Sequence, residues 1–259
     1  MTIKIIKDWE ITTIKKIKIN KPILLEGLPG IGNVGKIVAD YLIEELDAKK
    51  ITTFFSYDLP NSVFVNENNL VELPKIELYH KKIKNQDYLF LAGDVQPTTD
   101  KSSYIFTEII LNMMQECGCK EIITLGGIGL GDAPDKPEVF CAGNNEDFVK
   151  RFLKKGAKND VYGLVGPIIG ISGLLVGMST KQKIKSTAIL AETLGHPMYL
   201  GLKGARSTIK LLNKVYGFDV KLTSLNKEIK LMDAEDEAQN SDSASLQKIK
   251  KLKEINYIG

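Results

Sequence analysis

The stretch Leu25-Glu26-Gly27-Leu28-Pro29-Gly30-Ile31-Gly32-Asn33-Val34-Gly35-Lys36 joins an apolar run to an amphipathic one. The run 21–26 is short, apolar and bounded by proline and glycine, which predicts a buried strand. Beyond the glycines, apolar residues recur at helical spacing and predict a helix to about residue 46; they are Val34, Ile37, Val38, Tyr41 and Leu42. The stretch therefore predicts a strand–turn–helix unit of the kind that builds α/β proteins.

Strand and helix patterns continue along the rest of the chain. Apolar or β-branched runs predict strands at 51–57, 62–65, 76–80, 88–93, 121–125, 139–142 and 198–201. Helical spacing predicts helices at 104–116, 145–155, 188–194 and 205–216, and a buried helix within 166–178. Ser102 or Ser103 is the expected N-cap of the helix at 104–116. Apolar strands that end in glycine indicate an α/β fold with a mixed, mostly parallel sheet covered on both faces.

The composition changes at Asp233 and divides the chain. The segment 233–245 is acidic, has no large apolar residue and predicts a flexible linker. Beyond it, apolar residues recur every three positions on a Lys-rich segment and predict a short amphipathic helix; they are Leu246, Ile249, Leu252 and Ile255. We therefore expect one α/β domain over 1–232, a linker over 233–245, and a helix with a terminal tail over 246–259.

The charge balance argues against a nucleic-acid partner. The chain has 35 Lys and Arg against 32 Asp and Glu, for a formal net charge of +3. The clear basic clusters lie near the two ends, at 15–18 and 248–253, where solvated faces account for them. A nucleic-acid binder usually carries a concentrated basic face.

The cysteines and one apolar segment bear on location and on metal binding. The chain has three cysteines, Cys117, Cys119 and Cys141. Because an odd number cannot all pair in disulfides, this count favours a reducing compartment and hence the cytoplasm. The C-x-C pair has no histidine nearby, so no metal or cofactor is expected. The apolar segment 161–178 is interrupted by glycines and Pro167, which indicates strand, turn and helix start instead of a membrane span.

The glycine-rich turn 27–36 also supports an enzyme hypothesis. Gly30, Gly32 and Gly35 fit the dinucleotide pattern G-x-G-x-x-G, in which backbone N–H groups approach a pyrophosphate. With Lys36, the turn also comes close to the phosphate-binding pattern G-x-x-x-x-G-K-[ST]. A nucleotide- or nucleoside-binding enzyme that uses residues 27–36 is therefore the alternative function.

Two features weigh against that alternative. Ile37 stands where the phosphate-binding pattern needs a hydroxyl for magnesium, although Asp94 resembles the second magnesium-binding residue. Asp58 follows the second strand somewhat late for the acid that binds a ribose. His80 and His196 are far apart in sequence, so no catalytic residue is expected. We expect the glycines to permit a tight turn and close helix–strand packing.

A second glycine-rich segment, 126–132, follows the strand predicted at 121–125. It can line a pocket at the carboxyl end of that strand. It can equally cross the sheet as a flexible loop, which is the interpretation we favour.

Four segments together resemble the archaeal form of the proteasome-assembly-chaperone-two family. They are 25–35, Asp94-Val95-Gln96-Pro97, Leu125-Gly126-Gly127 and Gly170-Ile171-Ser172-Gly173-Leu174-Leu175. The resemblance covers about 20–232 and implies a single three-layer, phosphorylase/hydrolase-like α/β domain that assembles into small homo-oligomers. It also implies an ATP-independent assembly chaperone or activator, with the proteasome core particle and a paralogous family member as partners.

The resemblance assigns the partner-binding residues to the tail. Relatives that dock on the core particle insert a C-terminal hydrophobic–Tyr–any-residue tail between its α-subunits, where the terminal carboxylate pairs with a lysine. Here Asn256 precedes the tyrosine and two residues follow it, so Tyr257-Ile258-Gly259 can itself fill the three positions. The expected contact residues are Ile255, Tyr257, Ile258 and Gly259. The competing hypothesis is a passive scaffold whose tail packs on its own or a neighbouring protomer.

Overall fold

The computed structural model describes residues 1–160 and 166–234 of the 259-residue chain. The chain divides into two compact units, 1–220 and 221–259. In the second unit, residues 223–234 form a helix that includes the first two residues of the expected linker. The rest of that linker and all of 246–259 lie outside the described residues.

The described part of the first unit contains eleven strands, nine of them in one sheet. The sheet order is β1-β2-β4-β7-β8-β3-β9-β11-β10, and β5 pairs with β6 alone. The strands are β1 (Thr2–Ile6), β2 (Trp9–Thr13), β3 (Ile23–Gly27), β4 (Lys49–Phe55), β5 (Phe64–Val65), β6 (Val71–Glu72), β7 (Ile76–Ile83), β8 (Gln86–Gly93), β9 (Glu121–Leu130), β10 (Val139–Gly143) and β11 (Lys185–Leu194).

Parallel pairing is confined to the middle of the sheet. β3 runs parallel to β8 and β9, and β9 runs parallel to β11. The five other pairings in this sheet are antiparallel. The two-residue turns Lys7–Asp8 and Lys84–Asn85, with positive φ at every position, force β1–β2 and β7–β8 into hairpins. The α/β class and the mixed sheet are confirmed, but antiparallel pairs outnumber parallel ones.

Helices cover both faces of the sheet and give three layers. The helices are α1 (Val34–Glu45), α2 (Asp100–Glu116), α3 (Glu146–Leu153), α4 (Ile171–Met178) and α5 (Leu202–Tyr216). On one face α1 contacts β3, β8 and β9, and α5 lies against both α1 and α3. On the other face α2 packs on α4, which contacts β9 and β11.

Two clusters of aromatic side chains hold these layers together. In the larger core, Trp9 stacks on Phe106 of α2 with ring centroids 4.3 Å apart, and Phe54 meets the same ring edge-on. Near the start of β9, Arg151 donates two hydrogen bonds to Glu121, at 2.8 and 2.7 Å, and another to the hydroxyl of Tyr216. This bidentate pair fixes α3 and α5 to the beginning of β9.

Several sequence interpretations are wrong in detail. Residues 188–194, expected as a helix, belong to β11, and 198–201 form no strand. The segment 126–129, expected as a flexible loop, continues β9 because β11 pairs with it residue by residue to Leu130. The N-cap of α2 is Thr99, whose side chain accepts a hydrogen bond from the backbone N–H of Ser102. Ser102 is therefore the third residue of the helix and completes a capping box.

Candidate functional site

The glycine-rich turn is a packed junction between β3 and α1. Gly35 lies so close to β9 that a Cβ there would be 2.9 Å from the carbonyl carbon of Leu125 and nearer still to its oxygen. Gly32 has a left-handed φ of 59° and lies against Thr193, and its carbonyl accepts a hydrogen bond from the N–H of Gly201. These contacts give each of the two glycines a packing role that needs no ligand.

Lys36 is held by protein groups. Its Nζ lies 2.9 Å from Asp40 Oδ2, donates to the carbonyl of Gly93 at 3.2 Å and lies 3.9 Å from Asp94 Oδ1. The ammonium is thus directed along α1 and toward the end of β8. A phosphate-binding lysine instead reaches over the turn toward the phosphates.

The sheet order also disagrees with the dinucleotide pattern. In that fold the acid that binds the ribose follows a strand next to the one that leads into the glycine turn. Asp58 follows β4, and β7 and β8 lie between β4 and β3. The order therefore separates Asp58 from the glycine turn by two strands.

A cleft of about 870 Å³ opens beside the glycine turn. β3 pairs with β9 only as far as Thr124, whereas β9 continues to Leu130, so the last part of β9 has a neighbouring strand on one side only. The other walls come from the turn, the start of α2 and the approach to α4. The lining residues include Gly30, Ile31, Gln96, Tyr104, Gly127 and Ile169. Glycine-rich β9 therefore lines a pocket, the alternative that the sequence left open for 126–132.

Gln96 joins the glycine turn to α4. Its side-chain amide donates to the carbonyl of Pro29, and its Oε1 accepts from the N–H of Ile171 at 3.0 Å. Gly170, which precedes the helix, has a φ of 83° and lies against the Gln96 side chain. Three segments that are far apart in sequence therefore meet at one amide.

Glu26 is a fully buried carboxyl group beneath the cleft. Its Oε1 accepts from the N–H of Leu28 at 3.0 Å, and its Oε2 accepts from Ser172 Oγ at 2.8 Å. Burial raises the pKa of Glu26 from 4.5 to about 7, although both hydrogen bonds act to lower it. Glu26 therefore changes charge near neutral pH at the junction of β3 and α4.

This carboxyl group makes stability depend on pH. A group whose pKa is higher in the folded state than in the unfolded state stabilises the fold at pH values below its unfolded pKa. This stabilisation is lost as the pH rises through its folded pKa. For Glu26 the pH range in which stability is lost runs from 4.5 to about 7.

Between these two pH values the free energy of unfolding of the wild type is expected to fall by about 3 kcal/mol relative to that of Glu26→Gln. Urea unfolding at several pH values measures the difference.

Glutamine is a close structural match at this position. Its Oε1 can accept from Leu28, and its Nε2 can donate to the Ser172 hydroxyl, so both contacts survive without a titrating group. Parallel pH profiles for the wild type and the variant would show that Glu26 does not titrate in this range.

Sequence reasoning did not find that Glu26 lies beneath the cleft residues Gln96 and Ser172. All three fall within segments that carry the family resemblance, but nothing in their spacing shows that they meet. The one signal in the sequence was Glu26 itself, a carboxylate at the end of an apolar strand. The expected partner-binding residues Ile255, Tyr257, Ile258 and Gly259 lie outside the described residues and stay a prediction.

Neither a membrane-spanning helix nor a metal-binding cluster is present among the described residues. No helix within 1–160 and 166–234 is long and apolar enough to cross a membrane. In the same ranges no group of three His, Cys, Asp or Glu side chains is placed to hold a metal ion.

Solved structures from Pyrococcus furiosus share this fold. PbaB, an archaeal proteasome activator, aligns with a TM-score of 0.80 at 30% identity, over 92% of this chain and 100% of PbaB. PbaA, an archaeal homologue of proteasome-assembly chaperone, aligns with a TM-score of 0.75 at 25% identity, over 96% of this chain and 99% of PbaA.

Sequence comparison gives the same grouping. An uncharacterized protein of Methanocaldococcus jannaschii is 26% identical over 223 residues, which are 85% of this chain and 84% of that protein. The model of the PAC2 family matches residues 24–239. That match spans most of the chain and confirms the family resemblance, so this protein belongs to the PAC2 family.

Proposed function

We propose that this chain is an ATP-independent proteasome assembly chaperone or activator that binds the core particle through its C-terminal tail. The observation that carries the proposal is the alignment with PbaB, an archaeal proteasome activator, over the whole of that chain. Family membership supports a role in the proteasome system. The contacts of Lys36 and the position of Asp58 favour this role over nucleotide binding.

The tail supplies the chemistry of a docking peptide. Tyr257 provides an aromatic ring with a polar tip, which is a frequent anchor at protein interfaces. The carboxylate of Gly259 can be captured by a lysine between two α-subunits of the core particle. Several tails on one homo-oligomer would raise the local concentration of docking groups, so that weak contacts add up.

Truncation tests this role of the tail. Deleting 255–259 is expected to weaken binding to archaeal core particles at least about tenfold, because it removes the aromatic anchor and displaces the carboxylate. Co-elution in gel filtration measures the loss, and far-UV circular dichroism checks that the fold is intact. Unchanged co-elution of the truncated protein would contradict tail docking.

Point variants identify the residues that make the contact. Tyr257→Ala is expected to weaken binding, whereas Asn256→Ala is the matched control in the same segment and is expected to leave binding unchanged. One glycine added after Gly259 moves the carboxylate without removing a side chain, and we expect it to weaken binding as well. Equal binding by all three variants would place the contact elsewhere on the protein.

A further inference from the structure

A second pocket lies at the β10 edge of the main sheet. It has a volume of about 280 Å³ and shares no lining residue with the cleft beside the glycine turn. Its walls come from β10, from the segment that follows α3 and from α5, and their apolar part consists of Pro137, Val139 and Leu211. β10 is the last strand in the order of this sheet, so the pocket lies at an open side of the fold.

Four lysine side chains surround this pocket. Lys155 and Lys158 come from the segment after α3, and Lys210 and Lys214 come from α5. Because positions 210 and 214 are one helical turn apart, these two side chains lie on the same face of α5. The ammonium group of Lys214 lies 4.0 Å from the position that a Cβ on Gly156 would take. The two segments therefore bring their positive charges to one place.

Three of these four lysines have no carboxylate partner among the described residues. Lys158 pairs with Glu138 at 3.3 Å, and Glu138 is the one acidic residue among those that line the pocket. Lysines elsewhere in the described chain do have such partners, as Lys36 and Lys75 show. A concave site lined by charges of one sign attracts and concentrates ions of the other sign.

The lining favours a compact phosphate ligand over other anions. Each ammonium group offers three N–H donors, and each phosphate group offers three strong acceptor oxygens with up to two negative charges. Ser207 adds a hydroxyl group to the same wall. The lining contains neither an aromatic ring on which a base could stack nor an arginine that could hold a planar carboxylate. The volume is also below the roughly 300 Å³ at which pockets for drug-sized molecules begin.

We propose that this pocket binds a compact polyanion made of linked phosphate groups, such as a triphosphate. Several charges along a short chain can contact the lysines of both walls at once, whereas a single phosphate or carboxylate can contact fewer of them. The site uses neither the glycine turn nor the C-terminal tail. It therefore goes beyond the proposed function and does not depend on it.

Titration calorimetry of the full-length protein with inorganic tripolyphosphate tests the site. In about 0.15 M salt we expect a dissociation constant in the micromolar range, and weaker binding as salt screens the charges. Lys210→Gln with Lys214→Gln is expected to weaken binding at least about tenfold, because it removes two of the four charges. Lys101→Gln with Lys120→Gln removes two exposed lysines elsewhere and is the matched control, which is expected to keep the wild-type affinity.

A variant of the opposite wall keeps the test independent of the stability of α5. Lys155→Gln with Lys158→Gln leaves that helix unchanged and is expected to weaken binding to a similar extent. Far-UV circular dichroism checks the fold of each variant. Loss of binding in both folded variants, with the control unchanged, is the result that the proposal predicts.

Two further titrations identify the chemistry of the ligand. ATP is expected to bind no more tightly than tripolyphosphate, because the lining has no ring for its base, and a poly-glutamate peptide is expected to bind more weakly. No binding of tripolyphosphate, wild-type affinity in the pocket variants, tighter binding of ATP or equal binding of the peptide would each overturn the proposal. These measurements use no core particles, so their failure is distinct from a failure of tail docking.

Discussion

Replacing Gly35 by alanine is expected to lower the free energy of unfolding by at least about 3 kcal/mol. The new methyl group would lie 2.9 Å from the carbonyl carbon of Leu125, closer than real Cβ atoms come to backbone. Because backbone cannot move aside as a side chain can, α1 has to shift away from β9. Gly27 packs against the Gly35 carbonyl, so the shift also disturbs β3.

Gly30 is the matched control in the same turn. Its backbone is extended, with a φ of −159°, and a Cβ there would have no atom within 4 Å. Gly30→Ala is therefore expected to change the free energy of unfolding by less than about 1 kcal/mol. Urea unfolding followed by far-UV circular dichroism measures both variants. Equal stability of the two would contradict the close packing of α1 on β9.

Trp9→Ala is expected to cost about 3–5 kcal/mol, the usual range for removing a large buried aromatic side chain. Trp9 is fully buried and stacks on Phe106, which in turn packs edge-on against Phe54. Loss of the indole leaves a cavity between β2 and α2 that the surrounding rings cannot fill. Circular dichroism is the required readout, because Trp9 is the single tryptophan of the chain.

Trp9→Phe separates ring packing from hydrogen bonding. The indole Nε1 is buried without a hydrogen-bond partner among the described residues, so phenylalanine removes an unsatisfied donor while keeping an aromatic ring. We expect this variant to lose less than about 1.5 kcal/mol. A loss as large as that of Trp9→Ala would mean that the indole nitrogen is bonded in solution.

The strand–turn–helix unit around residues 25–36 could be predicted because its two patterns are local. The strand run is bounded by proline and glycine, and α1 shows clear helical spacing to Leu42. The glycines between them were correctly expected to allow close helix–strand packing, as the contact of Gly35 with Leu125 shows. In this unit the local sequence pattern and the tertiary packing favour the same structure, so the sequence was sufficient to predict it.

β11 was mistaken for a helix because periodicity cannot classify a fully buried run. Residues 186–191 are all buried, and a continuous apolar strand has no alternation to distinguish it from a buried helix. Its pairing with β9 decides the structure, and that partner lies more than fifty residues earlier. Gly126, Gly127 and Gly129 were mistaken for a loop for a related reason. A Cβ at Gly127 would collide with the Ile31 carbonyl, so glycine is needed there inside a strand.

The candidate cleft could be predicted only in part. A pocket wall was the less favoured interpretation of the segment 126–132, and its residues 126–129 line the cleft. The bond from Ser172 to Glu26 joins residues 146 positions apart, and no spacing rule connects them.

Binding of the unmodified protein to archaeal proteasome core particles is the most direct test of the proposed function. Purified full-length protein and core particles are mixed, and the complexes are weighed by native mass measurement, with the protein lacking 255–259 as the comparison. We predict a species whose mass exceeds that of the core particle by a whole number of 28.7 kDa chains, and its loss on truncation. A mixture in which the core particle and this protein stay separate at micromolar concentrations would contradict the account.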